Sequence, residues 1–96
     1  MNPQVQAPVP RSESTPPLRL LIAEDNAVDR DLVVLELARA GIRGTQTHVE
    51  NRQQFEATMV PGAFDAIISD YRFPDWTGMD AFTFANSVDA EVPFLL

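Results

Sequence analysis

The stretch LRLLIAED, residues 18–25, constrains the fold more than any other part of the chain. Around Arg19 it is continuously apolar, without the in-out alternation of a half-solvated strand, and that pattern belongs to a strand covered on both sheet faces. A second such run, DAIIS at 65–69, also leads straight into a carboxylate, Asp70. Between and after them the pattern changes to helical spacing. A helix is expected over about 27–40, opened by Asn26 with Asp29 as its reciprocal capping partner and stopped at Gly41.

The remaining elements follow from similar signals. GTQTHVE, residues 44–50, reads as a polar strand near a sheet edge. Asn51 caps a helix over about 52–59, on which Phe55 and Met59 lie one turn apart, and Pro61 and Gly62 end it. Thr77 and Asp80 form a capping box for a helix over about 78–88, and VPFLL, residues 92–96, is a fourth strand. The order β-α-β-α-β-α-β argues an α/β fold, a doubly wound parallel sheet with right-handed crossovers. In the first helix Leu32, Val33, Leu37 and Ala40 are expected to face the sheet. Val34, Leu35 and Ala38 lie on another side, as incidental exposure or a partner surface.

Composition bounds the function. Residues 1–17 carry five of the eight prolines and few bulky apolar groups, so they read as a disordered leader before a domain at 18–96. A net charge of −7, with arginine as the sole basic residue type besides His48, excludes the clustered positive charge of a nucleic-acid groove. Cysteine is absent, which removes disulfides and thiolate metal sites and fits a reducing compartment. No secretory signal or 18-residue apolar run is present, so cytoplasm is the expected location and no membrane contact is expected.

The chemistry lies in the carboxylates. If strands one and three are neighbours, Glu24, Asp25 and Asp70 converge at the C-terminal edge of the sheet, where open α/β folds place their sites. Clustered carboxylates repel, and a hard divalent cation, Mg²⁺ above all, is the simplest compensation. Asp25 would be a direct ligand, Glu24 a direct or water-mediated one, and the backbone carbonyl of Arg72 a further contribution. Asp70 could accept a phosphoryl group as an acyl phosphate. Spacing alone leaves a second reading open, in which these residues are helix caps or ordinary surface carboxylates.

At these residues the chain resembles the receiver domain of two-component response regulators. LRLLIAEDNAVDRDLVVLELARAGI, residues 18–42, is similar to that family's first strand, acidic pair and first helix, and FDAIISDYRFPDWTGMDAF, residues 64–82, to its phosphoacceptor strand and loop. The resemblance implies a flavodoxin-like receiver fold, incomplete here at four of five strands. It also implies that Asp70 takes a phosphoryl group from a histidine kinase or phosphotransfer protein, and that Glu24 and Asp25 form the Mg²⁺ pocket. Pro74 and Gly78 correspond to the loop proline and the helix-opening glycine. The family's serine or threonine after strand four and its lysine after strand five have no counterpart, since the chain stops at Leu96 and contains no lysine.

The resemblance implies self-catalysed phosphoryl transfer and hydrolysis rather than turnover of an external substrate. The alternatives are a receiver-like binding module that works without phosphate, and the receiver part of a hybrid histidine kinase. An aspartyl phosphatase would need a second acid two residues past its nucleophile, where Arg72 stands. A homodimer through the exposed edge of strand four or through the first helix is a further partner arrangement. Asp75 reads as a turn residue, Trp76 as packing across the loop, Tyr71 and Phe73 as flanking or packing groups, and His48 as a structural or surface residue.

Overall fold

Leu18–Ala23 forms β1, and its Leu20–Ala23 stretch is buried on both faces, as the unbroken apolar run requires. The computed structural model describes residues 17–96, so the leader expected over 1–17 lies, save Pro17, outside the described residues. The elements that follow are α1 (Ala27–Arg39), β2 (Gly44–Val49), α2 (Arg52–Thr58), β3 (Ala66–Ser69), α3 (Gly78–Val88) and β4 (Phe94–Leu95). All strand pairings are parallel and the sheet order is β2-β1-β3-β4. This is the first part of the flavodoxin-like 2-1-3-4-5 order.

The handedness of the crossovers explains where the helices lie. From β1 the chain steps one way to β2, then returns past β1 to β3 and continues to β4. Keeping every crossover right-handed puts α1 on one face and both α2 and α3 on the other. The packing follows that rule. Leu37 and Val33 of α1 cover Leu20, Ile22, Ala66 and Ile68. Phe55 and Met59 from the α2 side, with Ala81 and Ala85 of α3, cover Leu21, Ala23, Val49 and Ile67 on the opposite face.

Phe55, Trp76 and Phe84 form an aromatic cluster on the α2/α3 face, with Phe55 edge-on to Trp76 at 5.3 Å between centroids. Trp76 is therefore a core residue, only 8 % exposed, although it belongs to the loop after β3. Arg52 lies over its ring at 5.5 Å from the centroid. Among the described residues no helix is long and apolar enough to cross a membrane.

Several local expectations need correction. β1 ends at Ala23 rather than Asp25, β3 begins at Ala66, and β4 is confined to Phe94–Leu95. Leu32 lines the open rim of the α1–sheet packing beside Val33, Leu37 and Ile68 rather than being buried in it, and Ala40 takes no part in that packing. Leu32 is 52 % exposed, because among the described residues α1 is the one helix on its face of the sheet and no second helix covers the side that carries Leu32. Ala40 lies past the helix end as its C-cap, and the chain turns at Gly41 with φ 74°. Asn26 does cap α1 by accepting from the Asp29 N–H, at 3.0 Å, but the reciprocal half is not made. The Asn26 N–H instead donates to Glu24 Oε2 at 3.1 Å.

Candidate functional site

The last rungs of the sheet bring the acidic residues together. Just past β1, the Glu24 N–H still donates to Val49 O at 3.0 Å, and just past β3 the Asp70 N–H donates to Ala23 O at 2.9 Å. Both main chains are thus held in strand register at the point where the sequence leaves the sheet. β1 and β3 are direct neighbours, and the chain reverses its direction across the sheet between them. That is the switch point at which open α/β sheets leave a crevice. One carboxylate oxygen from each of Glu24, Asp25 and Asp70 lies within 4.8 Å of the others.

The three side chains differ in their surroundings. Asp25 is exposed in the β1–α1 turn and Asp70 is partly buried, whereas Glu24 is only 6 % exposed. Burial, opposed by the Asn26 N–H and reinforced by the negative charges of Asp70, Asp29 and Asp25, raises the Glu24 carboxyl to about 6. The Asp70 carboxylate accepts from the Tyr71 N–H at 2.8 Å through Oδ1. Ser69 Oγ donates to the Asp70 carbonyl, also at 2.8 Å, fixing the peptide that follows the carboxylate. Beside the triad lies a cavity of about 280 Å³, walled by Ile22, Val33, Ile68 and Leu96 with Glu24 and Asp70 at its polar end.

The loop after Asp70 is closed on itself. Arg72 and Thr77 form an antiparallel bridge, Phe73 N–H donates to Trp76 O at 2.9 Å, and Gly78 N–H donates to Tyr71 O at 2.6 Å. Gly78 owes its identity to this closure: a Cβ there would come within 2.6 Å of the Asp70 carbonyl oxygen. Thr77 and Asp80 make both bonds of the expected capping box and start α3 directly behind the loop.

These donors suit a hard cation. They are carboxylate oxygens, with no nitrogen or sulfur ligand among them, which is the donor chemistry of hard divalent cations as a class. Arg72 is exposed, two residues past Asp70 and inside the closed loop. Asp75 stays apart from the triad and accepts from the Arg52 N–H at 3.4 Å, in keeping with a turn residue. His48 is exposed on β2, at the far edge of the sheet from β4.

Arg30 was not among the residues singled out by sequence. Its guanidinium approaches both the Glu24 carbonyl and the Glu50 carboxylate. Its position six residues beyond Glu24 signals nothing by itself; the contact exists because the first turn of α1 folds back over the end of β2. Neither the scan against protein-family models nor the search of curated proteins returns a match to this chain.

Proposed function

We propose that this domain is the phosphoacceptor of a two-component phosphorelay, with Asp70 as the acceptor and Glu24, Asp25 and Asp70 as the carboxylate ligands of Mg²⁺. The observation that carries the reading is the meeting of the three carboxylates at the switch point between β1 and β3. A cation bound there would offset the mutual repulsion of the carboxylates and the charge that develops in phosphoryl transfer. The Arg72 carbonyl is the further ligand this reading assigns.

The steps are then those of an aspartyl nucleophile. Asp70 keeps Oδ1 in a hydrogen bond from the Tyr71 N–H, which leaves Oδ2 to attack. Oδ2 forms a bond to phosphorus as the bond from phosphorus to a donor phosphohistidine nitrogen breaks, and that nitrogen keeps the electron pair. The product is an acyl phosphate on Asp70, later cleaved by water to restore the carboxylate and release inorganic phosphate. The donor is a histidine kinase or phosphotransfer protein, and a cytoplasmic location accompanies this reading.

Incubation with Mg²⁺ and acetyl phosphate tests it by intact mass, and beryllofluoride with Mg²⁺ tests it by Trp76 fluorescence. The expected result is a Mg²⁺-dependent mass gain of one phosphoryl group and a fluorescence change, both lost in Asp70→Asn. A folded protein that shows neither response would overturn the assignment.

A further inference from the structure

The turn that carries Glu24 and Asp25 leaves the sheet with one main-chain acceptor that the strand ladder does not serve. The β1–β2 register pairs Ala23 with Val49, so its continuation would set Glu24 opposite Glu50. In a parallel ladder the Glu24 carbonyl would then take the N–H of Asn51. Asn51 instead begins α2 as its N-cap. Arg30 supplies a donor: Nη1 stands 3.4 Å from the Glu24 carbonyl oxygen and 3.5 Å from Glu50 Oε2. Its side chain is 23 % exposed, the least exposed of the cations that form ion pairs among the described residues.

We propose that Arg30 is a positioning residue for the acidic pair, bridging the Glu24 carbonyl to Glu50 and so setting the peptide plane that aims Asp25 and Glu24 at a shared cation. The proposal rests on the reading of the triad as a cation site. Arg30 touches no bound group in this scheme. It acts through the Glu24–Asp25 peptide, as outer-sphere partners do when they orient ligands.

Charge and position predict opposite effects, which makes the role separable. Removing a positive charge near three carboxylates strengthens cation binding by electrostatics alone. Loss of a positioning contact weakens it. Arg30→Met keeps an apolar stem and deletes the donor; Arg30→Lys keeps a charge that can still bridge two oxygens.

The test measures free Mn²⁺ by electron paramagnetic resonance in titrations of the parent and both variants, and records the amide resonances of Asp25 and Asn26 without metal. Arg30→Met is expected to bind Mn²⁺ on the order of tenfold more weakly and to shift both amides, and Arg30→Lys to recover most of the affinity. Equal or tighter binding by Arg30→Met, or unmoved amides, overturns the proposal. If the parent itself binds no Mn²⁺, the cation reading falls, and the metal-free amide shifts alone decide whether Arg30 holds the turn. Should Arg30→Met fail to fold, Glu50→Gln loosens the bridge from its exposed end; because loss of that negative charge weakens cation binding by itself, the metal-free Asp25 and Asn26 amide resonances are then the readout, with a smaller shift expected than for Arg30→Met and unmoved amides overturning the role.

Discussion

Glu24 shows how one carboxylate can be set against the stability of its own fold. Its carboxyl is raised to about 6 mainly by burial, above the ordinary glutamate range. The folded chain therefore favours the protonated form. That contribution is fully present below the unfolded value, declines as pH rises through about 6, and leaves the ionised group destabilising at neutral pH. Without metal, Glu24→Gln is expected to be more stable than the parent at pH 7, by on the order of 1 kcal/mol, with the difference vanishing near pH 4 in thermal melts. With metal the sign reverses: cation binding by the parent should weaken below pH 6 and be poorer in Glu24→Gln at pH 7, as read by Mn²⁺ titration. The identities of Glu24, Asp25 and Asp70 as candidates were readable from the strand ends. That Glu24 is buried while Asp25 is exposed was not, because adjacent residues in one turn reach different environments only once β2 and α1 pack around them.

The helices show where local chemistry suffices. α3 spans Gly78–Val88 as its pattern predicts, with the Thr77/Asp80 box fully formed. Both bonds of that box join residues three apart, so sequence proximity is enough to define them. Thr77→Ala should lower stability by about 1 kcal/mol, measured by urea unfolding. α1 is the contrast. Its four candidate inward residues reduce to Val33 and Leu37, and Leu32 is half exposed. A helical pattern identifies the apolar side of a helix, but the width of the buried stripe depends on what packs beside it. Asp29 likewise meets the spacing of a capping box, yet Glu24 occupies the Asn26 N–H that Asp29 would have accepted.

Across the whole molecule, one aromatic cluster connects the two helices on one face to the loop that follows Asp70. Phe55 of α2 is fully buried and meets Trp76 of the loop and Phe84 of α3 edge-on. Phe55→Ala should cost about 3–5 kcal/mol, visible as a lowered urea midpoint, with a red-shifted Trp76 emission in the folded baseline as the indole gains water. The sequence by itself determined the order of elements, the parallel sheet and the strand ends that carry acid, since apolar runs, caps and turn residues act over a few neighbouring positions. Only the tertiary structure decided that β1 lies beside β3, that one oxygen from each of three carboxylates therefore meets the others, that Trp76 enters the core from a loop, and that Arg30 reaches the end of β2. Those facts depend on contacts between distant residues, which form when the crossovers close and the two faces of the sheet are covered.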